Sequence, residues 1–200
     1  MPQLPPVTKA LMLICTAMFC VQLLFGSWLE GLFALWPLGS GLFMPWQPLT
    51  HAFLHGDPLH LFFNMFGLWM FGSEIEMIWG RKRYWHFLLA SAVAGAVAQM
   101  LVSLLGIPMG PTVGASGALY GLLLAFGMMF PERIIMPLFP PIPMKAKIFV
   151  VVFGGIALLS GIFSPTGGVA HFAHLGGMLG GWLMIRYWRG QAPFPSRRRR

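Results

Sequence analysis

The chain has 200 residues, of which 57% are hydrophobic and only 9% charged, with a formal net charge of +8. Soluble domains carry roughly 25% charged residues, so a water-facing globule is excluded and lipid is the expected solvent. The positive excess forms no face that would hold nucleic acid. It lies in short clusters between apolar runs and in the terminal Arg197 to Arg200, the pattern of membrane topology signals.

Six apolar segments follow one another, at about 8–28, 58–79, 84–105, 115–131, 147–164 and 169–188. Each is near the ~20 residues that cross a bilayer core. The expected fold class is therefore all-α, a polytopic membrane protein of six transmembrane helices. Residues 1–190 read as one domain and 191–200 as a basic cytoplasmic tail. The first span is long for a signal-peptide core and lacks a small-residue cleavage site. It carries Cys15 and Cys20, which point in different directions on a helix and suggest neither a disulfide nor a metal site.

Between the first and second spans runs a loop rich in Trp, Phe and Leu. It is too apolar for a solvated loop, and Trp28, Trp36 and Trp46 are natural interface anchors. Gly80 alone marks the break between the second and third spans, within "GRKR". Glu74 and Glu76, near the end of the second span, read as boundary residues.

Lys9 precedes the first span, and Arg81, Lys82 and Arg83 follow the second. Arg133, Lys145 and Lys147 follow the fourth, and Arg186 and Arg189 close the sixth. The loops after the first, third and fifth spans hold no Lys or Arg. The positive-inside rule then puts both termini in the cytoplasm. The second, fourth and sixth spans all begin in the outer leaflet, which brings His60, Asn64, Ser116 and His174 to similar depth. Intramembrane polar and ionisable groups of this kind are functional candidates.

Ser116 stands in "GASG", flanked by Gly114, Ala115, Gly117 and Ala118. Such a serine suits a close helix contact. The close contact is the commoner use, and the motif alone is a weak signal for a nucleophile, which needs a base and an oxyanion donor near it. The N–H groups of a helix N-terminus have no intrahelical acceptor and can be that donor. His174, in "AHFAHLGG", is the candidate general base, with His171 as its rival. Gly177 and Gly181, four residues apart, allow a neighbouring helix to come close.

His60 and Asn64, also four apart, project from one helix face. They can serve an interhelical hydrogen bond or a pair of donors for an oxyanion. Zinc ligation by His51, His55 and His60 is conceivable from spacing, but Gly56, Asp57 and Pro58 interrupt the helix and no HExxH motif occurs. No metal and no cofactor is expected.

Together "HLFFN" (60–64), "GASG" followed by Tyr120, and "AHLGG" (173–177) resemble the rhomboid family of intramembrane serine proteases. The resemblance covers about residues 8–188 and is to the minimal six-helix bacterial form. It implies Ser116 as nucleophile and His174 as general base, a dyad with no acidic third member. It further implies an oxyanion hole of His60, Asn64 and the Ser116 backbone N–H. Tyr120 would pack on the catalytic imidazole, and Gly114, Gly117, Gly177 and Gly181 would permit close approach.

Substrates would be single-pass or polytopic membrane proteins within the lipid bilayer, and the setting a bacterial inner membrane. Many members carry Trp-Arg near the end of the first loop where this chain has Trp46-Gln47, a departure that bears on the loop's polar contacts. Two alternatives are a non-proteolytic rhomboid-like protein that binds membrane clients, and a small transporter using the same His and Asn residues. The first would usually lack one member of the dyad.

Overall fold

The computed structural model describes residues 4–107, 109–138, 141–163 and 170–191. The described residues are almost wholly helical. In chain order they form α1 (Pro6–Phe33), α2 (Gln47–Thr50), α3 (Pro58–Gly67), α4 (Ser73–Ser103), α5 (Ser116–Met129), α6 (Ala146–Phe163) and α7 (His171–Trp188). A two-residue antiparallel pair, Ile134–Ile135 with Met144–Lys145, closes the connection between α5 and α6. Residues 192–200 of the predicted tail, Arg197 to Arg200 included, and most of the "SPTGGVA" loop lie outside the described residues.

Three stretches are long and apolar enough to cross a membrane: Pro6–Phe33, Pro58–Ser103 and Ala146–Phe163. The second counts 46 residues, which as a straight helix would measure about 69 Å, twice the ~30 Å hydrocarbon core. It does not run straight. Gly80 adopts φ 74°, ψ 161°, a left-handed conformation that side chains rarely take. Trp79 and Phe87 then meet with ring centroids 5.0 Å apart, and the Tyr84 hydroxyl lies against Gly72. Gly80 thus divides the expected second and third spans. A π turn over Leu68–Gly72 joins α3 to α4 without a loop.

α4, α5 and α7 form the tightly packed centre, with α6 and α1 set more lightly around them. At one end of this bundle the core is aromatic and aliphatic, built on Phe71, Ile75, Tyr84, Phe87, Leu122 and Phe126. At the other end it is made of small residues. A side chain at Gly176 would meet the carbonyl of Ala94 at 2.6 Å, and one at Gly95 would meet the carbonyl of Ala173 at 2.6 Å. Helices here touch backbone to backbone, the arrangement that small residues permit in apolar surroundings. Leu23, Leu24, Val151 and Phe163 are among many large apolar side chains left exposed. Water does not tolerate such surface over so much of a protein.

The two glutamates read as boundary residues are held differently. Glu74 is partly exposed and pairs with Arg133. Glu76, however, is 3% exposed. Its carboxylate accepts from the backbone N–H groups of Val7 (2.9 Å) and Thr8 (2.7 Å) and from the Thr8 hydroxyl (2.8 Å). It therefore satisfies orphan donors at the start of α1, a helix far away in sequence.

Candidate active site

Ser116 is the first residue of α5, and His174 lies one turn into α7. The two helices pack face to face because Gly177 meets Gly117 with no side chain between them; a methyl at Gly177 would sit 2.6 Å from the Gly117 carbonyl carbon. This approach brings the Ser116 Oγ to 2.8 Å from the His174 Nε2 across 58 residues of sequence. The distance is that of a hydrogen bond. His174 is 8% exposed, and its Nδ1 is buried with no partner among the described residues. Among the described residues no carboxylate orients the imidazole.

An aromatic ring does so instead. Tyr120, one helical turn after Ser116, stacks on His174 with centroids 4.2 Å apart and planes 6° from parallel. His171 stands edge-on to His174 at 6.2 Å and has no hydrogen bond to Ser116, so the rival base is not placed to act.

The segment leading into Ser116 is held by the first loop. Leu35 and Thr112 exchange two backbone hydrogen bonds of 2.9 Å, and the N–H of Gly114 donates to the carbonyl of His51 at 2.9 Å. Gly114 has φ 115°, and a side chain there would strike the His60 ring at 2.7 Å. Only glycine serves both conditions. At the start of α5 the Ser116 N–H has no backbone acceptor among the described residues. It is free to donate to a ligand.

His60 lines the same cavity as Ser116 and His174, a space of about 460 Å³. Its Nδ1 accepts a long hydrogen bond from the Gly56 N–H at 3.4 Å, which leaves the proton on Nε2 as a donor. Asn64 is differently disposed. It is buried, its Nδ2 donates to the carbonyl of His60 at 2.8 Å, and it is not part of the cavity wall. Its Oδ1 has no partner among the described residues. Among the described residues no three His, Cys, Asp or Glu side chains are arranged to hold a metal ion.

A family model for the Rhomboid domain matches residues 42–190. The chain belongs to the rhomboid family. Rhomboid protease GlpG of Yersinia pestis (strain Pestoides F) and that of Yersinia pseudotuberculosis serotype O:3 (strain YPIII) are each 30% identical over 188 residues. The GlpG of Yersinia enterocolitica serotype O:8 / biotype 1B is 29% identical over 193 residues. The matches cover 93% of this chain, which spans 63% of the length of those curated relatives.

Within this rhomboid chain three residues near the site carry roles that sequence reading did not assign. Gln47, which follows Trp46 in the first loop, is fully buried and ties that loop together. Its Oε1 accepts from the Trp36 N–H at 3.2 Å, and its Nε2 donates to the carbonyls of Leu42 (3.0 Å) and Leu32 (3.4 Å). Gln22 of α1 grips the backbone of His55 with two hydrogen bonds, of 3.0 and 3.1 Å, fixing the turn before α3. Gln99 of α4 lines the cavity, its Nε2 donating to the Met109 sulfur at 3.1 Å and its Oε1 buried without a partner. An amide inside an apolar run was the available signal for all three.

Proposed function

We propose that this protein is an intramembrane serine endopeptidase that hydrolyses peptide bonds in or near the transmembrane segments of membrane proteins. The observation that carries the reading is the 2.8 Å contact between Ser116 Oγ and His174 Nε2, with Tyr120 stacked on the imidazole. Membership of the rhomboid family and the names of the GlpG relatives support it.

In this reading His174 accepts the Ser116 proton through Nε2 as Oγ attacks the substrate carbonyl. The tetrahedral oxyanion is met by the Ser116 N–H and the His60 Nε2–H, donors already fixed in place. Asn64 joins them once its amide turns from the His60 carbonyl towards the cavity, whose wall it does not line in this structure. His174 returns its proton to the leaving amine, giving an acyl-enzyme, and then activates water to release the acid. Stacking replaces the acidic third member in holding the ring plane.

The same reading takes the six helical crossings α1, α3 with the first turns of α4, the rest of α4, α5, α6 and α7 as transmembrane spans. Both termini are then cytoplasmic, the site faces the outer leaflet, and the setting is a bacterial inner membrane. The distribution of Lys and Arg supports that orientation.

The deciding experiment is covalent labelling of detergent-purified protein by a serine-directed fluorophosphonate probe. Wild type is compared with Ser116→Ala and His174→Ala after all three are shown to be folded. Labelling of wild type, lost in both variants, is expected. Labelling that survives Ser116→Ala would refute the choice of nucleophile.

A further inference from the structure

The cavity that holds Ser116 and His174 has one carboxylate in its wall. Asp57, the only aspartate in the chain, lines it beside His60, Gln99 and Thr112. Its side chain caps α3 by accepting the His60 backbone N–H at 2.8 Å, and the residue is otherwise exposed. The other acids are spent elsewhere. Glu74 and Glu132 pair with basic residues beyond α5, Glu76 is sealed at the start of α1, and Glu30 lies at the end of α1 outside this wall.

Among the described residues no cation pairs with Asp57. Residues 10–80, 84–132 and 148–185 contain neither Lys nor Arg, and every residue in the cavity wall falls within these ranges. The remaining ionisable groups facing the space are the imidazoles of His60 and His174. A carboxylate without a protein counter-charge, beside an apolar wall of Leu59, Phe63, Met109 and Val113, projects its field into the space where a bound peptide would lie.

We infer that Asp57 is a specificity residue that selects substrate segments carrying Lys or Arg, and rejects those carrying Asp or Glu, next to the cleaved bond. The inference rests on the protease reading above. A charge pair separated by the ~8 Å scale of such a cavity, at an effective dielectric between protein surface and water, changes binding about fivefold for attraction and about fivefold for repulsion. The Lys-to-Glu preference is then about 25-fold at low salt and falls as salt screens it.

The test is competitive cleavage, in proteoliposomes, of transmembrane peptides identical except for Lys, Gln or Glu at each position flanking the cut. Wild type is compared with Asp57→Asn, which removes the charge but keeps a good helix cap. The readout is the Lys:Glu ratio of kcat/KM within each enzyme, so a general change in activity or folded fraction cancels. A ratio near 25 at the best position in wild type, collapsing to near 1 in Asp57→Asn, is expected. Cleavage of all peptides with no charge preference overturns the inference and leaves the protease reading intact, as does a preference that persists in Asp57→Asn. Cleavage of none, the neutral peptide included, overturns the protease reading and this inference with it.

Discussion

Gly177→Ala isolates the contact on which the proposed dyad depends. Helix propensity alone would favour alanine by about 1 kcal/mol, so any loss must come from packing. The new methyl carbon would lie 2.6 Å from the Gly117 carbonyl carbon and 3.1 Å from its Cα. The Gly117 carbonyl oxygen lies closer still, and carbon atoms rest about 3.5 Å apart or more, so α7 has to retreat from α5 by at least about 1 Å. The obstacle is backbone on the facing helix, which cannot swing aside as a side chain would. Inserted methyl groups in tight cores cost about 1–3 kcal/mol, which outweighs the propensity gain. Retreat of α7 also carries His174 away from Ser116, and a misplacement near 1 Å lowers catalytic rates by about 100-fold. The assay is the rate of fluorophosphonate labelling in detergent, with thermal unfolding followed in the same samples. Gly155→Ala on α6 is the control, because nothing lies within 4 Å of its added methyl. Wild-type labelling and wild-type Tm for Gly177→Ala would refute the argument that this glycine contact sets the Ser116–His174 distance.

Two further predictions concern stability at the end of the bundle that carries the basic residues. Glu76→Ala strips the acceptors from the N–H groups of Val7 and Thr8, leaving buried donors at roughly 1–3 kcal/mol each; the Tm in detergent should fall sharply, while Glu74→Ala, at an exposed pair, should barely move it. Glu132 accepts from Lys145 at 2.7 Å and from Lys147, and these hydrogen bonds lower its pKa from 4.5 to about 2. Because the folded value is depressed, the unfolded state binds more protons in that interval, so the contribution is present above about 4.5 and is lost as pH falls towards 2. Amide exchange in residues 131–147, corrected for intrinsic rates, should quicken as pH drops through this window, and Glu132→Gln should remove that dependence.

Much of this architecture is legible in the sequence because lipid imposes a coarse rule: apolar runs of fixed length, broken by Gly, Pro or charge. Gly80 was readable as the break between two spans, since a left-handed turn there leaves few other choices. Ser116, His174 and Tyr120 were readable only jointly, each standing one turn or less from a helix start. What the sequence hides is the partner of each polar side chain. A glutamate near a helix end looks the same whether it faces water, as a boundary residue does, or caps another helix, as Glu76 does. Gln47 could not be assigned its contacts with Trp36, Leu32 and Leu42, because loop conformation decides which carbonyls an amide meets. The direction of the Asn64 amide, back onto His60 rather than outward, is a rotamer choice that residue spacing does not encode.

These hidden contacts share a purpose. Ser116 sits at the junction of a loop and a helix, where a chain is least constrained, yet as the proposed nucleophile its Oγ has to be held within about 0.5 Å of the productive geometry. The backbone bridge from Leu35 to Thr112, the His51 carbonyl on Gly114, and the His60 ring against Gly114 pin that junction from one side. The Gly177–Gly117 contact and the Tyr120 stack pin His174 from the other. In an apolar medium the backbone bonds of the loop have little water to compete with them. Buried amides such as Gln22 and Gln47 can therefore hold the loop with neutral groups, and no charge is introduced beside the site. On the protease reading proposed above, Asp57 is the one carboxylate in the wall of the Ser116 cavity, and its removal should alter which segments are cut before it alters how the bond is broken.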